Sequence, residues 1–124
     1  TAKMYGHAAE ISMTFVEKIK HNTKEAETYV RLGLFDRAEE AIRKALSQAN
    51  SKERMDVLAA EKKMYFDQAT VLGNEGKRNH AARFYEKLLS MRLSDPERQE
   101  AKTKLLDLYS KLGRLHEFNA LERR

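Results

Sequence analysis

Apolar residues recur along this chain at the three- and four-residue spacing of one helix face, and strict alternation never appears. From Gly6 to Leu32 the stripe runs through Ala8, Ile11, Phe15, Ile19, Ala26, Tyr29 and Val30. Asn22 and Thr23 interrupt it, with Asn22 and Glu25 spaced like a capping pair, and one long helix is favoured over two. Gly33 then stands where a helix ends in the left-handed conformation, and Asp36 opens a second amphipathic segment, Arg37 to Gln48. After Ser51, read as an N-cap, a long stretch passes Val57, Leu58, Met64, Tyr65, Ala69 and Leu72 before Gly73 and Gly76 stop it. A return helix from Asn79 to Leu93 carries Ala81, Ala82, Phe84, Tyr85, Leu88 and Leu89. Ser94-Asp95-Pro96 ends that helix and Pro96 starts the next, since proline fits a first helical turn but not an interior one. Ala101, Leu105, Leu106, Tyr109 and Leu112 follow before Gly113, and a last helix runs from Leu115 through Phe118 and Leu121. The expectation is an all-α chain of antiparallel helix hairpins, each turning at a glycine.

Superimposed on one another, the segments repeat. Gly33 with Asp36, Ala38, Ile42 and Ala45 corresponds to Gly76 with Asn79, Ala81, Tyr85 and Leu88, and then to Gly113 with His116 and Phe118. Ahead of each glycine lie Ala26 and Tyr29, Ala69 and Leu72, and Leu106 and Tyr109 at fixed offsets. The turn glycines are 43 and then 37 residues apart, in the range of stacked helical repeats.

These residues resemble the tetratricopeptide repeat, a helix-turn-helix unit of about 34 residues with a glycine in its turn and a small residue early in its second helix. Gly33, Phe35, Asp36, Ala38, Ile42 and Ala45 carry the resemblance most fully. The second unit matches in Ala69, Gly76, Ala81, Tyr85 and Leu88 but has Arg78 where the family prefers an aromatic. The third matches in Tyr109, Gly113 and Leu115, with Phe118 in place of a small residue as in a capping repeat. The long spacings make it an elongated or divergent form. The resemblance implies a short, right-handed superhelical α-solenoid of about three units, a single domain over residues 1–124 that belongs to a larger protein.

It also implies a concave groove, lined by the first helix of each unit, that holds a peptide or helix of another protein. By that alignment the groove face presents Glu27, Val30 and Arg31, then Lys63, Phe66, Asp67, Thr70 and Asn74, then Thr103, Lys104, Asp107 and Lys111. The protein-binding residues expected from it are Arg31, Lys63, Phe66, Thr70, Asn74, Lys104, Asp107 and Lys111. Tyr65 and Phe66 are neighbours that cannot both enter one core, so Tyr65 is read as buried and Phe66 as an anchor ringed by cations, suited to an acidic partner with an apolar anchor. The other aromatics, Tyr29, Phe84, Tyr85 and Tyr109, read as core. A family subgroup grips acidic chaperone tails with a Lys/Asn carboxylate clamp, but Thr23, Glu27 and Asp67 stand at its positions, and that function is not expected.

Composition narrows the alternatives. The 124 residues suffice for one core, and no apolar run is long enough for a membrane span. There is no cysteine, which removes disulfides and thiolate chemistry. His7, His21, His80 and His116 are scattered without metal-ligand spacing, so no metal or cofactor is expected. Gly73-Asn74-Glu75-Gly76-Lys77 is too short for a P-loop, no strand pattern accompanies it, and a helix-terminating glycine pair explains it. No constellation supports catalysis. The formal charge of +5 rides on 35% charged residues, a mixed rather than a strongly basic surface. RNA binding, the alternative function, would need Lys62, Lys63, Lys77, Arg78 and Arg83 to form one continuous face, and nucleic acid is not the expected partner. The first ten residues show no initiator Met and no targeting pattern, which suggests an excised or processed chain with the cytoplasm as default compartment.

Overall fold

The computed structural model describes residues 15–124, which contain six helices and no strand. They are α1 (Phe15–Arg31), α2 (Phe35–Ser47), α3 (Ser51–Asn74), α4 (Arg78–Leu89), α5 (Asp95–Leu112) and α6 (Leu115–Glu122). Expectations for Gly6, His7, Ala8 and Ile11 fall outside the described residues. Within them α1 passes Asn22 and Thr23 without a break. Thr23 caps nothing: its Oγ1 donates to the Ile19 carbonyl one turn back at 2.7 Å.

One turn is built three times. Gly33, Gly76 and Gly113 have φ of +74°, +77° and +71°, the left-handed conformation that glycine enters without a Cβ penalty. Each glycine N–H donates to the carbonyl three residues back, on Val30, Gly73 and Ser110, at 3.0, 3.2 and 3.2 Å. The next residue's N–H reaches five back, from Leu34 to Tyr29, Lys77 to Leu72 and Arg114 to Tyr109, each at 2.9 Å. This bond pair is the Schellman motif, which satisfies carbonyls left open by the ending helix. Leu34, Lys77 and Arg114 then serve as N-caps of the following helices with nearly equal backbone angles and no side-chain cap bond. Their carbonyls accept from Ala38, Ala81 and Phe118. A connection this short leaves the two helices antiparallel neighbours.

Several boundaries differ from the sequence reading. Asn50, not Ser51, caps α3: its Oδ1 accepts from the Glu53 N–H and its own N–H donates to Glu53 Oε1, both at 2.9 Å. Gly73 does not stop α3, which continues to Asn74 and turns at Gly76. Helix α4 stops at Leu89 rather than Leu93. Ser94 caps α5 with a reciprocal bond to Glu97, and Pro96 occupies the first turn.

The chain divides into two compact units, residues 1–61 and 62–124, with the boundary inside α3. In the first, α1 packs on α2 and buries Ala26, Val30, Ala38, Ala41, Ile42 and Ala45. Alanines on facing helices let the backbones approach closely. In the second, α4 packs on α5 and α5 on α6. Its core holds Tyr65, Phe84, Tyr85 and Tyr109 with Leu72, Leu88, Leu105 and Leu121. The Tyr65 ring meets Phe84 at 6.0 Å, tilted by 51°, which joins the C-terminal half of α3 to α4.

Candidate protein-binding site

Of the expected binding residues, Arg31, Lys63, Thr70, Asn74, Lys104, Asp107 and Lys111 are exposed. Val30 is not on that face: at 1% exposure it belongs to the α1–α2 core, one turn after Ala26. Phe66 is half-buried, and its ring meets Tyr85 of α4 edge-on at 6.5 Å. Thr70 Oγ1 donates to the Phe66 carbonyl at 2.9 Å, one turn along the same face. Burial raises the Tyr85 hydroxyl above its ordinary pKa, the neighbouring Thr70 hydroxyl acting the other way. Phe66, Thr70 and Tyr85 therefore form one patch, with Phe66 as its partly exposed member and Tyr85 as the buried support. Tyr29, read as core, is half-buried.

Three of the four cations among the expected binding residues, all but Lys104, are held by carboxylates one turn away on their own helices. Arg31 pairs with Glu27 at 2.6 Å, Lys63 with Asp67 at 2.9 Å and Lys111 with Asp107 at 2.9 Å. Such exposed pairs contribute little stability, but they leave Phe66 beside neutralised charge rather than in a ring of cations. The basic cluster considered for RNA is similarly divided. Lys62 reaches Glu97 at 3.0 Å and Lys77 reaches Glu75 at 3.1 Å. The Ser94 backbone N–H, with Lys62 assisting, holds the Glu97 carboxyl below the usual carboxylate range.

At the third turn a compact charged cluster ties α4, α5 and α6 together. The Tyr109 hydroxyl donates to Glu86 at 2.5 Å, and the Arg114 guanidinium lies 4.8 Å above the Tyr109 ring. Arg114 also pairs with Glu117 and, at 3.7 Å, with Glu86. Burial and the Glu86 carboxylate push the Tyr109 pKa up, so the phenol stays protonated and continues to donate.

The sequence reading missed a cleft of about 400 Å³ between α1 and the N-terminal half of α3. Ile19, Val57 and Ala60 form its apolar floor. Lys20 and Lys24 stand on the α1 wall, Glu53 and Asp56 on the α3 wall. Each wall is a stripe at helical spacing, but the spacing of one helix does not say which stripe of another will face it.

Residues 22–52, from the middle of α1 through α2 to the first residues of α3, match the tetratricopeptide repeat family. The turn at Gly33 lies inside that match, and its geometry recurs twice further on. The match covers one helix-turn-helix unit, and the helical-hairpin architecture of the described residues fits a tetratricopeptide-repeat-like helical repeat. No curated protein and no solved structure matches the chain significantly. Tetratricopeptide repeats are protein-interaction scaffolds and the family is generally non-catalytic. Among the described residues of this repeat chain no group of three His, Asp or Glu side chains could hold a metal ion, and no helix is long and apolar enough to cross a membrane.

Proposed function

We propose that this chain is a non-catalytic adaptor within a larger assembly, and that it binds another protein along the outer faces of α3 and α5. The observation that carries this reading is the Phe66 patch. A half-exposed aromatic on a buried Tyr85, bordered by Thr70 and the Lys63–Asp67 pair, suits an anchoring contact that excludes water at its centre and is polar at its rim. Asn74 on α3 and Lys104, Asp107 and Lys111 on α5 contribute polar contacts to this surface, and Arg31 on α1 is a polar contact residue of the first unit. The partner is a peptide or helix with an apolar anchor. Its acidic character draws support from Lys104 more than from Lys63 or Lys111, which have carboxylate partners of their own. RNA gains no support, because Lys62, Lys63 and Lys77 are each engaged by a carboxylate.

The test is affinity capture with the full chain, comparing the parent with Phe66→Ala and with Lys104→Glu. Equal melting temperatures with loss of the captured partner in Phe66→Ala support the reading. Unfolding of Phe66→Ala together with undiminished capture by Lys104→Glu would make Phe66 a core residue and remove the site.

A further inference from the structure

The corners that follow α2 and α4 repeat one another in residues that the glycine turns do not explain. Counted from the turn glycine, Lys44 and Ser47 of the first unit correspond to Lys87 and Ser90 of the second. Asn50, Glu53 and Arg54 then correspond, one residue later in the second unit, to Ser94, Glu97 and Arg98. Both serines are exposed and bond back to the last turn of their helix: Ser47 Oγ donates to the Lys44 carbonyl at 2.7 Å and Ser90 Oγ to the Lys87 carbonyl at 2.5 Å. The corners differ in what their arginine does. Arg98 spans the two carbonyls that flank Ser90, Leu89 at 3.4 Å and Met91 at 3.5 Å, contacts too long to hold a guanidinium firmly. Arg54 makes no such bond beside Ser47. Among the described residues neither Arg98 nor the exposed Arg92, two residues after Ser90, is paired with a carboxylate.

We propose that Ser90 is a phosphorylation site for a serine kinase that reads a basic residue three positions before its target, and that Arg98 holds the phosphate. Lys87 supplies the basic residue, and residues 91–94, which are not helical, supply an open segment after the target. The kinase moves the γ-phosphoryl group of ATP: the bond from Ser90 Oγ to phosphorus forms, the bond from that phosphorus to the bridging oxygen breaks, ADP leaves and the hydroxyl proton passes to the kinase's base. The ester oxygen has no proton to donate, so its bond to the Lys87 carbonyl is lost and the side chain is released from the helix. The phosphate brings a charge of about −1.5 to −2 and three acceptor oxygens to a guanidinium that otherwise meets only two carbonyls. Arg98 exchanges long neutral contacts for charge-assisted ones, and Arg92 adds a second cation. Because Ser90 ends α4 and Arg98 belongs to α5, the modified corner ties the two helices together. At Ser47 the same group meets a helix C-terminus, whose dipole repels an anion, with no guanidinium on the flanking carbonyls. Phosphate therefore strengthens the second corner and weakens the first.

The full chain, treated with ATP and the catalytic subunit of a kinase of this specificity, should take up phosphate at Ser90, read by mass spectrometry of its peptides. Lys87→Ala should slow that uptake about tenfold. With phosphoserine installed in place of Ser90 the melting temperature should rise by about 3 °C, and in the Arg98→Gln background the rise should vanish. Phosphoserine in place of Ser47 should lower it. By phosphorus nuclear magnetic resonance the phosphate at position 90 should titrate below its ordinary second pKa of about 6, and Arg98→Gln should restore that value. No phosphate at Ser90 after treatment, a melting temperature that falls with phosphate at position 90, or a rise and a titration that Arg98→Gln leaves unchanged would each overturn the proposal.

Discussion

In residues 15–61 the buried side chains are Ile19, Ala26, Val30, Ala38, Ala41, Ile42, Ala45 and Val57, and none is aromatic. Residues 62–124 also bury four alanines, but add Tyr65, Phe84, Tyr85 and Tyr109. The turns do not share this difference: the glycine angles agree within 6° across both units. Counted from the turn glycine, Phe84 replaces Ala41 and Tyr85 replaces Ile42. Turn chemistry therefore holds the hairpin form while core volume varies between units. The family match over residues 22–52 falls in the unit whose described core has no buried aromatic.

The comparison predicts opposite weaknesses. The largest effect should come from truncation in the aromatic unit: Tyr65→Ala, at a position with 0% exposure, should cost about 3–5 kcal/mol through the cavity it leaves. Val30→Ala in the first unit deletes only two methyl groups and should cost about 2 kcal/mol. Urea denaturation of both variants checks the order, and a larger loss for Val30→Ala would break the comparison. Next comes insertion. Ala38→Leu should overpack the α1–α2 contact and cost about 1–3 kcal/mol, and Ala81→Leu a similar amount, since both positions are buried five residues after a turn glycine. Unchanged melting temperatures for both would mean that the two positions are not equivalent.

The smallest effect is a pH dependence at Glu97 in the second unit. Glu97 has its pKa lowered by the Ser94 N–H and Lys62, so its contribution is present above the ordinary carboxylate value and fades as pH falls through the depressed one. The parent should exceed Glu97→Gln in stability at pH 6, and the gap should narrow below about pH 4. A gap that is constant across that range would show that the capping bond, not the charge, carries the effect.

How much of this could be read in the sequence depends on how local the cause is. The turns at Gly33, Gly76 and Gly113 were legible because glycine alone enters the left-handed conformation cheaply at a helix end. Asn50 and Ser51 are both good N-caps, and the Glu53 carboxylate three residues after Asn50 was the overlooked signal that decides between them. The end of α4 at Leu89 was hidden because Met91 and Leu93 continue an apolar pattern through residues that are no longer helical. Val30 was misplaced on the groove although its four-residue distance from Ala26 already assigned it to the core. The lysine–aspartate pairs at Lys63 and Lys111 are legible at helical spacing, since each aspartate stands four residues from its lysine. The α1–α3 cleft was beyond reach, because it depends on two stripes about thirty residues apart meeting in space.

The central claim is that one turn recurs along the chain, and glycine-to-alanine substitution measures it most directly. At Gly76 and Gly113 no atom lies within 4 Å of where a Cβ would sit, so the cost is that of the backbone conformation alone. Gly76→Ala and Gly113→Ala should each lose about 1 kcal/mol and agree with one another. Gly73→Ala, in the helical last turn of α3 with the same open space, should instead gain about 0.5 kcal/mol. Thermal denaturation of the three variants gives the answer: equal losses at Gly76 and Gly113 with a gain at Gly73 are the expected result, and a loss at only one of the two turns would contradict the account.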